Sequence, residues 1–511
     1  MSAAPQPPAS DPKRWWALAA MCLAIFLVAV DGTVLSLATP SIVRDLQPTA
    51  TQVLWIGDIY SFVLAGLLIT MGNLGDRWGR KRMLLVGGTM FALLSIPAAY
   101  AQNAETLILM RALLGVAGAT LMPSTLALMR STFTDDKERS FAIGVWSAMG
   151  AAGAAAGPLF GGILLQHFWW GSVFLVNVPI MALVLIIGIP TLRESWDPEP
   201  GPLDLISVAL SMIGILGVVY AIKESAVHGI EPTYAVAGVV GAAALVWFVL
   251  RQQALEHPLV DVRLFKNGAF TGAVLGMLLS VFGLAGALFF FSQYLQFVQK
   301  LDPLQAGLFE LPATMAALVA ALVAGRIMRR FGRGPVTAVG LLAIGAGMAA
   351  VALLLGNPQF LLFVIPLMLI GGGDGVALTI ASDTVLAVAP KDRAGAASAV
   401  SETGYELGTA LGIALLGSIL TAVYQSTLLL PAGVPESVAD AAEESPGEAF
   451  EAVASLPADV AAQVVGLVEN AFTHSLTITT LAGAAVLLVG AFATWWLMPG
   501  KGDVVDEMSS H

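Results

Sequence analysis

Fourteen apolar runs, each long enough to cross the hydrocarbon core of a bilayer, divide this chain and leave it few other ways to fold. A helix needs roughly 20 apolar residues for that crossing, and lipid offers no partner to an unpaired backbone N–H or C=O. The runs are 15–38, 52–72, 83–101, 106–130, 141–165, 172–191, 205–222, 233–251, 269–297, 306–328, 336–355, 360–388, 395–425 and 473–498. Only 12% of the 511 residues are charged and 57% are hydrophobic, with mean hydropathy +0.83. A soluble domain carries about a quarter charged residues. The expectation is an all-α polytopic membrane protein. Its one cysteine, Cys22, excludes an internal disulfide framework. The first run is too long for a signal-peptide core and lacks a clean small-residue cleavage site, so it reads as a spanning helix behind a polar, Pro-rich tail.

Lys and Arg in the short loops set the orientation. With the N-terminus inside, twenty of the 24 Lys and Arg fall on the cytoplasmic side; Arg44, Lys223 and Lys300 fall outside, and Arg111 lies within the fourth run. One span more or fewer would scramble this alternation, so both tails, 1–14 and 499–511, are expected in the cytoplasm. The long outer connection 426–472 carries Glu436, Asp440, Glu443, Glu444, Glu448, Glu451, Asp459 and Glu469 and no Lys or Arg. It reads as a solvated acidic cap, in which AFEAVASL and ADVAAQVVGLVENAF are candidates for short amphipathic helices. The net charge of −11 therefore points to no acidic patch for a basic partner, and nothing in the chain points to nucleic acid.

Two cytoplasmic turns, eight spans apart, echo each other. One reads Gly72-Asn-Leu-Gly-Asp-Arg-Trp-Gly-Arg-Lys-Arg82; the other reads Gly325-Arg-Ile-Met-Arg-Arg-Phe-Gly-Arg333. Each has a glycine and, five residues on, Arg-aromatic-Gly-Arg. Such echoes are what an internally duplicated transporter leaves behind; a plain basic turn is the alternative. The second copy has Arg329 where the first has Asp76, so a carboxylate latch belongs to the first copy alone. Gly72, Asp76, Arg77, Gly79 and Arg80 are candidate gating residues.

GNLGDRWGRKR resembles the signature loop of the Major Facilitator Superfamily, and LILMRALLGVAGA, residues 107–119, resembles its helix-four motif with Arg111. GAAAGPLFGG, residues 153–162, is similar to its antiporter helix-five motif, which adds Gly153, Gly157 and Pro158 to the gating set. VDGTVLSLATP (30–40), VLWIGDIYSFVLAG (53–66) and SETGYELGTALG (401–412) resemble segments of the fourteen-helix drug:proton antiporters, the QacA/EmrB type. Gly171 departs from the Trp-Arg-Trp common in that family. The resemblance implies a six-helix bundle over 15–191, two inserted helices over 205–251, a second six-helix bundle over 269–498 and a central cavity between the bundles. It also implies a protein of the plasma membrane of a bacterium.

Charges inside a bilayer are rare and mark function by default. Here they are Asp31, Asp58, Arg111, Asp374, Asp383, Glu402 and Glu406. At about 1.5 Å per helical residue, Asp31 lies ~24 Å above the inner edge, and Asp58 and Arg111 lie ~9 and ~8 Å below the outer edge. The three share one layer, and the resemblance implies that helices one, two and four line or adjoin the N-terminal side of the cavity; together these make a candidate proton-coupling cluster, in which Arg111 stabilises whichever carboxylate is charged. A carboxylate balanced between desolvation and a nearby arginine can take up and release a proton; a fixed ion pair between helices is the other reading. In the C-terminal half, Asp374 sits in IGGGDGV, and Glu402 and Glu406 are four apart on one helical face. Asp374 with Glu406 is the preferred cation-binding pair. Asp383, nine residues beyond Asp374, is a gate or interface candidate.

Six acids against one base favour a cationic passenger. Aromatic residues near them in sequence, Tyr60, Phe290 and Tyr294 among others, could stack on a delocalised cation for ~0.5–2 kcal/mol each. The family resemblance points the same way, to quaternary ammonium compounds and lipophilic dyes. The expected function is proton-coupled multidrug efflux by a monomer in contact with membrane lipids; an exporter of one metabolite or antibiotic is the alternative. The five histidines have no ligand spacing and no Walker loop is present, so a metal, a cofactor, ATP-driven export and a membrane enzyme are not expected.

Overall fold

The computed structural model describes residues 12–498 except 49, 197–203, 229–230, 257, 302, 358, 391–393, 432–433, 445 and 454–455. The side chains of Asp58 and Pro158, both singled out above, also lie outside the described set. Among the described residues there are helices and no strands. In chain order they are α1 (Arg14–Leu46), α2 (Ala50–Trp78), α3 (Arg80–Ala99), α4 (Ala104–Thr132), α5 (Asp136–His167), α6 (Ser172–Leu175), α7 (Asn177–Thr191), α8 (Leu205–His228), α9 (Pro232–Ala254), a 3-10 turn (Val262–Lys266), α10 (Gly268–Phe297), α11 (Pro303–Phe331), α12 (Arg333–Leu354), α13 (Leu361–Val388), α14 (Ala394–Thr427), α15 (Glu436–Glu444), α16 (Pro446–Ala452) and α17 (Ala458–Leu497).

Thirteen spans are long and apolar enough to cross a membrane, and α5, bent by 40° between Asp136–Ala154 and Leu159–His167, makes fourteen. The bend falls where the sequence carries Gly157 and Pro158, and a proline removes one rung of the helical ladder. The sixth span is broken into α6 and α7. Pro179 lacks the N–H that would reach Leu175, so the ladder cannot run through the junction.

Helices α1 to α7 enclose one apolar core, with Leu27, Phe91, Leu107 and Phe174 fully buried. Helices α10 to α17 enclose another around Phe291, Tyr294, Leu341 and Phe472. The α8–α9 hairpin packs on α2 and α14 through Phe62, Ile69, Leu210 and Ile215. Its base is pinned by Asp204, which accepts from Arg251 Nε at 2.8 Å, Arg251 Nη2 at 3.1 Å and Ser207 Oγ at 2.7 Å. The hydrogen bonds from Arg251, with that from Ser207 behind them, hold the Asp204 carboxyl down at about 2 despite partial desolvation.

The outer connection differs from expectation. The ADVAAQVVGLVENAF stretch is no separate helix but the first turns of α17, because Val464, Val468, Ala471 and Phe472 continue its buried stripe. Nor is the acidic segment a freely solvated cap. Val438, Ala442, Ala449 and Val453 are buried in the C-terminal core, Tyr424 Oη donates to Ala442 O at 2.8 Å, and Lys300 bridges Glu469 at 2.7 Å and the Phe450 ring at 3.9 Å.

Candidate transport site

Asp31 lies midway along α1, and α4 delivers Arg111 to it. An Asn103 side chain that accepts from Thr106 N at 2.8 Å starts α4, which sets Arg111 two turns in. Arg111 Nη1 meets Asp31 Oδ2 at 2.9 Å, and each residue is 1% exposed. Arg111 Nε donates to Ile56 O at 3.3 Å, and its guanidinium lies 4.7 Å from the centre of the Tyr60 ring. The other oxygen, Asp31 Oδ1, accepts from Asn177 Nδ2 at 2.9 Å. Asn177 opens α7 and also donates to Ser95 Oγ on α3 at 3.1 Å. Arg111 of α4 and Asn177 of α7 thus bind the carboxylate of α1 directly, and α2 and α3 hold those two side chains in place. Asn177 and Ser95 were not among the sequence candidates, since neutral side chains in apolar runs carry no charge signal.

The acids of the second half are held differently. Ser280 Oγ on α10 donates to Asp374 at 2.7 Å. Asp374 and Glu402 are buried, each 4% exposed, and among the described residues neither is paired with Lys or Arg. Glu402 and Glu406 are four residues apart and share a face of α14. Tyr60 belongs to the Arg111 cluster, its ring covered on one side by the guanidinium. Phe290 and Tyr294 do not join the acids. Both are buried in the C-terminal core, Phe290 against Phe289 at 5.1 Å. Tyr294 Oη accepts from Gly356 N and Gln299 Nε2, both at 2.8 Å, and so ties down the chain beyond α12.

The inventory of intramembrane charges also lacked one acid. Glu310 lies within α11 and has its Oε1 buried without a hydrogen-bond partner among the described residues. A carboxylate inside the run 306–328 was legible by the same rule that found Asp31.

At the arginine-rich end the halves are locked together. Asp76 accepts from Gly395 N at 2.8 Å and Ala396 N at 2.9 Å at the start of α14, and from Arg80 Nε and Nη2 at 2.8 and 2.7 Å. A carboxylate at a helix N-terminus meets unpaired N–H groups and the positive end of the helix dipole. Gly72 makes the approach possible, because a Cβ there would lie 2.5 Å from Gly395 O and 2.7 Å from Ala399 Cβ. Arg77 donates to Asn73 Oδ1 at 2.9 Å within its own helix. Asp383 on α13 bridges Arg139 of α5 at 3.2 Å and Arg333 at 3.3 Å, and Arg130 of α4 donates to Leu386 O. Gly79 and Gly332, the matched glycines of the two turns, have φ of +106° and +93°, a conformation that L side chains rarely adopt. In α5, Gly153 and Gly157 let the helix lie against Phe26, Ala29 and Thr33 of α1.

The family model for the Major Facilitator Superfamily matches residues 21–413. The chain belongs to the Major Facilitator Superfamily. It is a multi-pass membrane protein built as a transporter of that superfamily. It is 44% identical over 479 residues to the multidrug efflux pump LfrA of Mycolicibacterium smegmatis, across 94% of this chain and 95% of that one. It is 35% identical over 486 residues to the methyl viologen resistance protein SmvA of Salmonella typhimurium, across 95% and 98%. Its fold is shared with the human organic anion transporter MFSD10, at a TM-score of 0.63 and 13% identity, over 96% of this chain and 100% of that one.

Proposed function

We propose that this protein is a proton-coupled multidrug antiporter that exports lipophilic and quaternary ammonium cations across a bacterial plasma membrane, as a monomer, by alternating access between bundles 15–191 and 269–498. Transport of drugs is supported by the names of its relatives, an efflux pump and a resistance protein. The observation that carries the cation and proton parts is the contrast between two acid sets. Asp31 is paired with Arg111, whereas Asp374 and Glu402 are buried without a base among the described residues. An unpaired buried carboxylate is costly, and either a proton or a cationic passenger removes that cost.

In this reading the Lys and Arg bias puts the locked end at the cytoplasmic face, and the exterior supplies the proton. Asp31, with Asp58 beside it in sequence depth, takes up that proton, and a drug leaves the Asp374–Glu406 side. Inward proton movement adds about 2.3 kcal/mol per charge per 100 mV. The test is ethidium transport into everted vesicles with an imposed pH gradient. Asp31→Asn is expected to abolish gradient-driven transport while the protein remains folded in the membrane. Asp374→Asn with Glu406→Gln is expected to weaken ethidium binding at fixed pH. Undiminished gradient-driven transport by Asp31→Asn overturns the proton assignment.

A further inference from the structure

The carboxylate that the mechanism titrates is held by one group with a spare valence. Asn177 is fully buried. Both of its Nδ2 hydrogens are used, one on Asp31 Oδ1 at 2.9 Å and one on Ser95 Oγ at 3.1 Å, while its Oδ1 is buried without a partner. An orphaned buried acceptor is costly. An amide offers two donors on one side and an acceptor on the other. Beside a group that must exist both as a carboxylate and as a carboxylic acid, those two sides are what the two forms require.

We propose that Asn177 is the positioning residue for proton exchange at Asp31: its amide donates to the charged carboxylate and, turned about its Cβ–Cγ bond, accepts from the protonated one. The proposal rests on the reading of Asp31 as the titrated acid. On proton uptake the carboxylate becomes a carboxylic acid, its new O–H donates to Asn177 Oδ1, and the Arg111 guanidinium loses its counter-charge. On release the amide turns back. Ser95 follows, since its hydroxyl, which now donates to Phe91 O at 2.8 Å, can instead donate to the turned Oδ1. The orphaned oxygen is then the resting half of a two-position device.

The surroundings leave Asn177 this role. Among the described residues Arg111 from α4 is the one charged group bonded to Asp31, and Tyr60 from α2 lies against that arginine. Asp58 of α2 has no described side chain. Glu105 is exposed in the first turn of α4. On α5, residues 150–164, which flank the level where Gly157 meets Thr33, include no titratable group, and neither α6 nor α7 contains one.

The experiment reconstitutes the full chain in proteoliposomes and follows ethidium transport and proton movement as a function of pH. Asn177→Leu, similar in size, removes the donor to the charged form and the acceptor for the neutral one. The charge-assisted bond to the carboxylate is stronger than the neutral bond to the acid, so losing both is expected to move the pH midpoint of transport upward by about one unit. Ser95→Ala, which removes the hydroxyl that seats the amide, is expected to move it the same way by less, and it serves where the leucine variant fails to fold. Asn177→Ser, which retains a donor and an acceptor, is expected to restore part of the shift. A purely structural role would lower the amount of folded protein without moving the midpoint, so an unchanged midpoint in folded Asn177→Leu, or in Ser95→Ala where only that variant folds, overturns the proposal. Asp31→Asn run in parallel separates the two levels: if it keeps a normal pH profile, the reading of Asp31 has failed and not merely the role of Asn177.

Discussion

Neutralising the latch at Asp76 should open the arginine-rich end by an amount the geometry allows to be worked out. Asp76 accepts four hydrogen bonds, but the two from Arg80 stay within one half and survive separation. Only those from Gly395 N and Ala396 N join the halves. Asp76→Asn keeps one oxygen to accept one of them and sets an amide N–H against the other donor. At least one bond to a charged group is lost, worth about 1.5–3 kcal/mol, and every 1.4 kcal/mol is tenfold. The equilibrium should therefore move roughly ten- to hundredfold toward the state open at that end. Spin labels on Thr134→Cys, exposed between α4 and α5, and on Phe331→Cys, exposed at the end of α11, report the separation in a Cys22→Ser background. The distance distribution should shift from mainly short to mainly long. A distribution unchanged by Asp76→Asn in well-folded protein would refute the latch.

Removing Arg111 should destabilise the protein by about 3–5 kcal/mol, because Asp31 is left charged and buried; thermal unfolding in detergent measures this. Arg111→Lys should recover only part, since lysine cannot both reach Ile56 O and lie flat on Tyr60. Gly157→Val should lower the melting temperature, since even a Cβ there runs into Thr33, whereas Gly162→Ala on the same helix should change little because nothing lies within 4 Å. Overpacking of this kind costs about 1–3 kcal/mol. The Asp204 carboxyl ionises at about 2 in the folded protein, below its usual value of about 3.9. Its contribution is thus present above about pH 4 and lost as pH falls toward about 2. Thermal scans between pH 6 and pH 2 should show that loss in the parent and not in Asp204→Asn.

What the sequence disclosed follows the physics of each feature. The spans were legible because lipid enforces a composition that no other environment selects, and Asp31 and Arg111 were legible because charge is costly there. Depth put Asp31, Asp58 and Arg111 in one layer and the family resemblance put their helices around one cavity, but which carboxylate Arg111 binds was left to the structure. Asn177 was not legible: an amide in VFLVNVPI resembles any tolerated polar residue until the carboxylate beside it is seen. The burial of Phe290 and Tyr294 in the C-terminal core was not legible either, since nearness in sequence to an acid says nothing about which face of α10 an aromatic side chain occupies. The cap at 426–472 was misread because its charges dominate its composition while four small apolar residues decide its packing.

The two repeated turns close the same end by different chemistry, and the difference is written in one position. In the first copy the acid sits in the turn itself, Asp76, bound by Arg80 and reaching across to the start of α14. In the second copy Arg329 occupies that place, and the matched arginine, Arg333, instead binds Asp383 on α13, which reaches across to Arg139. The duplicated arginine is kept and the acid has moved from turn to helix. One latch therefore joins α2 to α14 and the other joins α13 to α5, with no partner in common. Distant sites without shared partners act additively within about 0.3–0.5 kcal/mol. Asp76→Asn and Asp383→Asn together should then open the end by the product of their separate effects in the same spin-label experiment. A double variant no more open than Asp76→Asn alone would mean that one latch holds the halves and Asp383 only packs beside it.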